Sequence, residues 1–597
     1  MSTFSVTNTN DSGIGSLRQA ILNANALTGK DIISFSGLFN DKIADTITLA
    51  GSSLNITDGL EIRGTSADLL TISGSQDIAS HIFEISSSVT VEIEGLTIAN
   101  GYNSELTGGI YNQGILSISN SIIKDNSGYF GGGIYNTGNL TVKDTTITNN
   151  LGYLGAGIYN EGTFTVSSSS INKNYAFSNG TGGGIYNNSS GVVTVDNTII
   201  SENGGGTDGG GIYNNSSGIL SVNNSTISDN EAFYNGGGVY NSGVLTVVNS
   251  TINANRTTTN YGGGGIYNSG EAIVNNSTIS GNESEIGGGI YNESTITVKN
   301  STITLNTAYN YYGGSSAGGI HNSNSGNATI ENSIVAGNFD NYDKDLTNTI
   351  NPDVFGNFNS NGYNLIGDLR GSGGFSTNEK LNVPIEKLLD TTLRDNGGLV
   401  KTHALVSGSP AINAGNNADI PFDVTDIDKD GNTTEQVPFD QRGSGYQRIS
   451  GTRVDIGAYE AVVVNVINGT AARETIYGTA GNDIITGHRG RDIISGGKGA
   501  DTFVYESICD VGDTITDFQV GIDKIDLRQV FQSLNLSKLN FASALSLGYL
   551  RFQAQGNNTQ VWIDPDGSSG KGRAVKFLNL NNVTPSSVKN PNNFGFS

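Results

Sequence analysis

GGGIYNNSSGILSVNNSTISDN, at residues 209–230, is one period of a repeat that fills the middle of this chain. The hexapeptide GGGIYN, or a close variant, recurs at steps of 24 to 30 residues. Its apolar position is held by Ile110, Ile134, Ile158, Ile185, Ile212, Val239, Ile266, Ile290 and Ile320. Two further segments in each period, such as LSVNN and STISDN, alternate apolar with polar residues and are rich in Val, Ile and Thr. Each period therefore predicts three short strands.

The length of the period decides how these strands pair. Three strands in 24 to 30 residues leave no room for crossover helices, and no hairpin turn joins them. Each strand must then pair with the corresponding strand of the next period. The predicted fold is all-β, a right-handed parallel β-helix with three short strands per coil and a core of alternate side chains. We expect the following residues to point inward: Ile212, Leu220, Val222 and Ile227, below Val239, Leu245, Val247 and Ile252.

Two polar columns follow from the same period. An asparagine ends the third strand in every coil, at Asn126, Asn150, Asn174, Asn203, Asn230, Asn255, Asn282, Asn306 and Asn338. Stacked amides can satisfy a bent backbone and one another, so we expect a ladder; N-glycosylation of the Asn-Asn-Ser-Thr segments is the competing interpretation. The repeated tyrosines should stack along one face, with a sugar-binding strip as the alternative.

The ends of the repeat are marked by composition. Ser16-Leu-Arg-Gln19 has the pattern of a capping box that opens a helix through about Ala26, which would cover the open end of the core. All eight prolines lie at or after Pro352, which places a boundary near residue 340. The predicted domains are a cap and first coils (1–100), the GGGIYN β-helix (101–340), C-terminal coils (341–462), a region with a second repeat (463–530) and a C-terminal region (531–597).

A second repeat lies at residues 469–504, which read GTAARETIY, GTAGNDIIT, GHRGRDIIS and GGKGADTFV. The last three fit the nonapeptide G-G-x-G-x-D-x-U-x, in which glycines turn carbonyls inward and the sixth residue supplies a carboxylate to calcium. The predicted ligand set is Glu474, Asp483, Asp492, Asp501, Asp510 and Asp513 with Gly478, Gly481, Gly487, Gly490, Gly496, Gly497 and Gly499. Alternate nonapeptides share a side, so Asp483 should pair with Asp501, and Asp492 with Glu474 or Asp510. We expect about two to four ions.

Several motifs resemble known families. GGGIYN and Ile227-Ser-Asp-Asn230 resemble the GGAI and FxxN motifs of polymorphic outer-membrane-protein repeats. VTNTNDSGIGSLRQAILNANA resembles the N-terminal segment of many secreted bacterial β-helix proteins. HALVSGSPAINAGN and DQRGSGYQRISGTRVDIGAYE, within residues 352–460, resemble the choice-of-anchor Q domain of bacterial surface proteins.

The nonapeptides and the run from Asp513 to Leu527 resemble RTX, or hemolysin-type, calcium-binding exoproteins. This resemblance implies a calcium-binding β-roll over residues 463–530, a secretion-signal region over 531–597, type I secretion, a bacterial extracellular or cell-surface location and Ca²⁺ as cofactor. Further carboxylates in this run are Asp517, Asp523 and Asp526. A separate loop carries Asp426, Asp428 and Asp430 at alternate positions before Gly431, but Val437 at its twelfth position excludes an EF-hand.

Composition limits the partners. The formal net charge of -24 repels phosphate backbones, so nucleic acid is not expected, and a cation is the natural counterpart. No window approaches 18 apolar residues, so we expect no membrane-spanning segment, and the start lacks the pattern of a cleaved signal peptide. The single cysteine, Cys509, excludes an intramolecular disulfide.

Three functions fit this sequence. The first is a non-catalytic surface, adhesion or matrix protein that binds extracellular polysaccharide or a cell-surface component. The second is a polysaccharide lyase or hydrolase whose site lies on loops at 310–319 or 340–380. No adjacent Asp-Asp pair, Gly-His-Gly or Arg-Ile-Lys is present, so no catalytic residue is predicted and catalysis is not expected. The third is a cell-wall or sheath protein assembled by calcium bridging.

Overall fold

A computed structural model describes residues 1–75, 80–259, 261–309, 316–340, 353–462, 464–479 and 481–596. The chain divides into two compact units. The solenoid unit comprises Met1–Arg448 and Asp455–Glu460, and the tail unit comprises Ile449–Val454 and Ala461–Ser597. Most of the enzyme-candidate loop at 310–319 and part of that at 340–380 fall outside the described residues.

Three ladders of parallel strands build the solenoid unit, as the repeat predicts. Ladder A comprises Thr3–Val6, Asp31–Phe35, Leu60–Arg63, Thr90–Glu94, Ile115–Ser119, Asn139–Lys143, Thr163–Ser167, Val192–Asp196, Ile219–Asn223, Val244–Val248, Glu271–Asn275, Thr295–Lys299 and Asn327–Glu331. Ladder B comprises Asp45–Thr48, Leu70–Ser73, Thr97–Ala99, Ile122–Lys124, Thr146–Thr148, Ser170–Asn172, Ile199–Ser201, Thr226–Ser228, Thr251–Asn253, Thr278–Ser280, Thr302–Thr304, Ile334–Val335 and Leu365–Ile366. Ladder C comprises Leu54–Ile56, Phe83–Ile85, Ile110–Asn112, Ile134–Asn136, Ile158–Asn160, Ile185–Asn187, Ile212–Asn214, Val239–Asn241, Ile266–Asn268, Ile290–Asn292 and Ile320–Asn322, and Val354–Ser360 closes ladders A and C.

The observed register confirms that each strand pairs with the corresponding strand of the next coil. Ile212 pairs with Val239, Leu220 with Leu245, and Ile227 with Ile252. All eight residues predicted to point inward are fully buried. Among the described residues ladder B holds 13 strands, so the chain forms a parallel β-solenoid of about 13 coils.

A fourth ladder adds to the three strands per coil that the sequence predicts. Ladder D follows ladder B and comprises Tyr102–Asn103, Ser127–Gly128, Leu151–Leu154, Tyr175–Thr181, Gly204–Gly205, Glu231–Ala232, Arg256–Thr257, Glu283–Ser284, Thr307–Ala308 and Phe339–Asp340. Most of these strands have two residues, which is too short to show an alternating pattern in the sequence. The chain enters ladder D through a left-handed residue, such as Asp229 with φ of 57°, and the buried asparagine that follows it.

The predicted N-terminal cap is present. The helix spans Leu17–Asn25, and the hydroxyl of Ser16 accepts the N–H of Gln19 at 3.2 Å, which satisfies one free donor of the first turn. Its apolar face is buried against the first strands of ladders A and C. The helix therefore covers apolar core that the first coil would expose to water.

The predicted asparagine ladder is also confirmed. The Nδ2 of each of the first eight asparagines donates to Oδ1 of its counterpart in the next coil at 2.8–3.0 Å, and the ninth, Asn338, donates to Oδ1 of Asp353 at 2.9 Å. All nine are buried. The Asn-Asn-Ser-Thr asparagines that match the glycosylation pattern, such as Asn224, lie in a different column, and Asn224 is half-buried. A second ladder, which sequence reasoning missed, joins the asparagines of the IYN strands at 2.7–2.9 Å, from Asn112 to Asn322.

The repeated tyrosines stack on one another. From Tyr159 to His321 successive ring centroids lie 4.6–5.2 Å apart, with interplanar angles of 19° or less. Each ring therefore covers the faces of its neighbours and leaves mainly its edge and hydroxyl accessible. Stacking of a sugar on a ring face is blocked in this part of the column, so the geometry favours the structural interpretation.

After Leu365–Ile366 the chain leaves the coils and lies over the outer face of ladder B. Its described regular elements are a two-residue strand, Ser372–Gly373, and three 3₁₀ helices, Thr377–Glu379, Ile385–Lys387 and Asn417–Asp419; a further 3₁₀ helix, Gly37–Asn40, lies near the cap. The side chain of Gln441 donates to Thr251 Oγ1 at 2.9 Å and accepts from Thr278 Oγ1 at 2.5 Å. We call residues 367–448 and 455–460 the covering segment.

Two arginines of the DQRGSGYQR motif hold the covering segment. Arg442 forms a buried ion pair with Asp440 at 2.6 Å. Arg448 is buried and donates to Asn276 Oδ1 at 3.0 Å, and to three backbone carbonyls of the DIGAYE motif. The residues that resemble an anchor domain therefore fasten the chain to its own solenoid.

The tail unit contains two sheets. One comprises Val464–Asn468, Asn482–Thr486, Thr502–Val504, Lys524–Asp526 and Phe594–Gly595. The other comprises Thr475–Tyr477, Ile493–Ser495, Asp513–Ile515, Val575–Leu580, Asn558–Ile563 and Leu550–Gln555. Helices Arg528–Ser533, Phe541–Ser546 and Pro585–Val588 and the 3₁₀ helix Pro591–Asn593 complete the unit. Successive nonapeptide strands alternate between the two sheets, as a β-roll requires.

Candidate metal centre

A first column of carboxylates follows the strands of one sheet of the tail unit. The backbone N–H of Asp483 donates to Oδ1 of Asp501 at 2.9 Å, and the N–H of Asp501 donates to Oδ1 of Asp523 at 3.0 Å. The first step spans 18 residues, or two nonapeptides. Asp483 and Asp501 therefore lie in adjacent turns on one side of the roll, where the sequence places them.

A second column follows the other sheet. The N–H of Glu474 donates to Oδ1 of Asp492 at 2.8 Å, across 18 residues. The N–H of Asp492 donates to Oδ1 of Asp513 at 2.9 Å, but across 21 residues. Asp510, which keeps the nine-residue phase, lies outside the column and accepts two N–H groups of its own turn at 2.9 and 3.1 Å. Three inserted residues break the phase, so the structure replaces Asp510 with Asp513 as the neighbour of Asp492.

Three of these carboxylates keep an oxygen without a partner. Oδ2 of Asp492, Asp501 and Asp513 is buried and has no hydrogen-bond partner in the described chain. Burial, which outweighs the nearby acidic groups as a cause, raises the pKa of Asp501 to about 7 and that of Asp513 to about 6; it also raises the pKa of Asp492. An ionised carboxylate in such a place is costly unless a cation lies beside it.

Glycines leave space beside these oxygens. A Cβ on Gly496 would lie 2.1 Å from Oδ2 of Asp501, and one on Gly490 would lie 2.7 Å from Oδ2 of Asp492. Gly497 adopts a left-handed conformation with φ of 96°, which few other residues tolerate. The other predicted glycines, Gly478, Gly481, Gly487 and Gly499, lie in the same turns. Carboxylate oxygens and turn carbonyls around a space without side chains fit a hard cation such as Ca²⁺.

The later acidic candidates have protein partners. Asp517 accepts the N–H groups of Gly496 and Gly497 at 2.9 and 3.0 Å. Asp526 pairs with Arg528 at 2.5 Å, and Oδ2 of Asp523 accepts a backbone N–H at 2.7 Å. These contacts stabilise the turns, and they leave Asp492, Asp501 and Asp513 as the residues best able to hold an ion.

The loop with Asp426, Asp428 and Asp430 forms a second acidic group, in the solenoid unit. One carboxylate oxygen from each lies within 4.8 Å of the others, and Asp428 is equally close to Asp423 and Glu435. Sequence reasoning missed Asp423 and Glu435, because the backbone bridge between Phe422 and Gln436 that brings them together has no local signal. Asp428 accepts the N–H of Asp430 at 3.3 Å, and Asp430 accepts the N–H of Asn432 at 2.7 Å, as Asx turns do.

Neither His403 nor His321 forms an accessible catalytic group. His403 Nε2 lies 2.9 Å from Ser280 Oγ, but both side chains are buried under the covering segment, where a substrate has no access. His321 stacks between Tyr291 and Phe355, and burial lowers its pKa to about 4. These two histidines therefore serve packing.

Residues 430–587 match the family model for the Peptidase M10 serralysin C terminal domain. The match contains all six acidic residues of the two columns, which are Asp483, Asp501 and Asp523 in the first and Glu474, Asp492 and Asp513 in the second. The chain is thus an all-β protein in which a parallel β-solenoid precedes an RTX-like β-roll, similar over this range to serralysin C-terminal domains.

The solved structures that the chain resembles include enzymes. The pectate lyase Pel9A is 13% identical with a TM-score of 0.31, over 77% of this chain and 96% of that one. The PL6 family alginate lyase AlyGC is 12% identical with a TM-score of 0.31, over 88% of this chain and 68% of that one. Likeness at these scores assigns neither activity to this chain. No curated protein matches it. No helix in the described residues has the length and apolar character to cross a membrane.

Proposed function

We propose that this chain is a secreted, calcium-binding β-helix exoprotein that folds its tail on calcium after type I secretion. The observation that carries the proposal is the pair of acidic columns, in which three buried carboxylate oxygens have no partner in the described residues. The match of residues 430–587 to a domain of secreted proteases supports the same conclusion. Location outside a bacterial cell, or on its surface, follows from this proposal.

Calcium would supply positive charge where the roll places its acidic oxygens. Asp501 would hold an ion in the first column, and Asp492 with Asp513 in the second, with turn carbonyls as further ligands. Because cytosolic calcium is scarce, a module with a Kd of about 10⁻⁴ to 10⁻³ M would stay unfolded before export and fold outside. Export and folding would then depend on the same ion.

The solenoid unit would act as the binding part, without catalysis. His321 and His403 in this unit are buried, where a substrate has no access to them. Adhesion to a cell surface or to extracellular polysaccharide is the function we propose for it. A polysaccharide lyase or hydrolase remains the alternative, and calcium-bridged sheath architecture is the third.

A calcium titration of the full chain tests the proposal. Trp562 is the sole tryptophan and lies in strand Asn558–Ile563, so its fluorescence reports on the tail unit. Chelator-stripped protein should change in Trp562 fluorescence and gain β-structure by circular dichroism with Ca²⁺, at a midpoint of about 10⁻⁴ to 10⁻³ M, and respond less to Mg²⁺. A flat response to calcium would contradict the proposal.

The enzyme alternative needs its own assay. The calcium-loaded chain is incubated with alginate and with polygalacturonate, and new reducing ends and ultraviolet absorbance of unsaturated uronates are followed. We expect neither signal to rise above that of heat-denatured protein. Sustained turnover of either polymer would overturn the non-catalytic part of the proposal. Calcium-dependent sedimentation without any glycan would instead favour the architectural role.

A further inference from the structure

The outer face of ladder B is covered at both ends and open between them. Near the start, Thr97 Oγ1 donates to the carbonyl of Ala67 at 2.7 Å and Thr97 is 2% exposed. Further on, Thr251 Oγ1 donates to the carbonyl of Lys401 at 2.7 Å and Thr251 is fully buried. Between these two threonines, the residues at the same register position in the intervening strands of ladder B are half-buried or exposed: Ile122, Thr146, Ser170, Ile199 and Thr226. At about 4.8 Å per coil this open stretch is about 20 Å long.

Two walls turn the open stretch into a groove. The first is the loop at residues 64–69, which is longer than the two-residue turns of the next coils. The second is the covering segment at residues 397–399, 427–429 and 442–444. A cavity of about 610 Å³ lies beside the first wall and one of about 600 Å³ beside the second. We call the face from Ile122 to Thr226, with these walls, the ladder B groove.

One rim of the groove repeats a polar side chain in every coil. The rim residues occupy the left-handed turn between ladders A and B, with φ of 44–49°: Asn120, Asp144, Ser168, Asn197 and Asn224. Asn120 donates to Glu94 and Asn224 to Asp196, at 3.3 and 3.0 Å, which places carboxylates beside the amides. Groups of this kind, spaced by one coil, can donate to and accept from the neighbouring hydroxyls of a repeating ligand.

The contacts of the covering segment indicate which chemical groups the outer face of ladder B, the floor of the groove, can bind. Where the covering segment lies on it, Thr251, Thr278 and Asn276 donate to carbonyl oxygens at 2.5–3.0 Å. The groove continues that interface with Thr146, Ser170 and other hydroxyls at the same positions. A strand face exposes no free backbone groups, so a peptide would have no strand to extend here. A ligand rich in oxygen acceptors and hydroxyl donors fits better.

Charge narrows the ligand class. Acidic side chains line the two cavities: Asp68, Glu94, Asp144, Asp196 and Asp428. The lining arginines are paired, Arg63 with Glu61 and Arg442 with Asp440. Lys429 also lines the second cavity, and over the two cavities together the carboxylates outnumber the cations. The excess of negative charge in the groove would repel an anionic polymer, whereas it would not repel an uncharged polymer. We propose that the ladder B groove binds one extended strand of a neutral polysaccharide, about one sugar per coil, and so provides the glycan contact on which the proposed adhesive function rests.

Hexasaccharides test the groove in the calcium-loaded full chain. Cellohexaose, maltohexaose, mannohexaose and chitohexaose are titrated by calorimetry, with oligogalacturonate as the anionic comparison. At least one neutral hexamer should bind more tightly than oligogalacturonate. Thr146→Arg and Ser170→Arg place a long side chain on the floor and should each weaken that binding at least tenfold. Thr165→Arg, on the outer face of ladder A in the coil of Ser170, should change it less than twofold.

Each outcome has a defined meaning. Absence of binding by all four neutral hexamers, unchanged binding in both floor variants, or tighter binding of oligogalacturonate would each overturn the proposal. Self-association that the floor variants abolish, measured by light scattering, would show that a second copy occupies the groove and would overturn it too. Thermal unfolding of each variant excludes misfolding. The calcium response of Trp562 in the same samples separates failure of the groove from failure of the calcium-folding proposal.

Discussion

Asp513→Asn tests whether the second acidic column holds calcium. In the structure Oδ1 of Asp513 accepts the N–H of Asp492 at 2.9 Å, and the amide oxygen of asparagine can still accept it. The substitution removes the negative charge and the oxygen that has no partner, Oδ2. Burial raises the pKa of Asp513 from 3.8 to about 6, so its ionised form costs the calcium-free fold about 3 kcal/mol. Since the folded pKa is the higher one, this cost applies above pH 6 and disappears as the pH falls towards 4.

The variant should therefore gain stability without calcium and lose stabilisation with it. At pH 8 the calcium-free unfolding midpoint of the tail unit, followed by Trp562 fluorescence, should rise by roughly 6 to 12 °C. Calcium at about 100 times its Kd stabilises the native chain by about 2.7 kcal/mol per ion, and the variant should lack one such increment. Asp510→Asn, outside the column, is the matched control and should retain the full calcium response. An unchanged midpoint and an intact calcium response in Asp513→Asn would refute the column assignment.

Three further predictions concern the solenoid unit. Asn230→Ala removes the acceptor of two Asn203 donors, at 2.9 and 3.0 Å, and should destabilise the unit by about 3 kcal/mol in thermal unfolding, whereas Asn188→Ala, in a surface turn, should cost less than about 1 kcal/mol. Arg448→Met removes the buried contacts that hold the covering segment and should expose this segment to limited proteolysis, with or without calcium. His321→Tyr should stabilise the unit in acid: the folded pKa of about 4 lies below the unfolded value of 6.5, so wild type loses up to about 3 kcal/mol as the pH falls from 6.5 to 4.

Specific results would contradict these three predictions. Equal unfolding midpoints for Asn230→Ala and Asn188→Ala would show that the amide ladder contributes little to stability. Protection of the covering segment in Arg448→Met would show that other contacts hold it. If the wild-type chain is as stable at pH 4 as His321→Tyr, then protonation of His321 does not destabilise the folded solenoid unit.

The coil, its register and its inward residues were predictable because each depends on spacing within one or two periods. A column needs only that one residue recur at a fixed step, as Asn230 and Ile227 do. The same logic correctly placed Asp483 beside Asp501. It also placed Asp492 beside Glu474. The alternative neighbour, Asp510, was wrong, because three inserted residues shift the phase and bring Asp513 into the column instead. A repeat predicts stacking only while its period holds.

The sequence by itself determined the solenoid, its cap, the polar ladder and the acidic repeat, since alternation and period are local properties of the chain. Only the tertiary structure decided which face stays open. Gln441 reaches Thr278 across 163 residues, and Arg448 reaches Asn276 across 172. No periodicity encodes such contacts, because they depend on where the chain turns back after its last coil. The ladder B groove follows from that long-range packing.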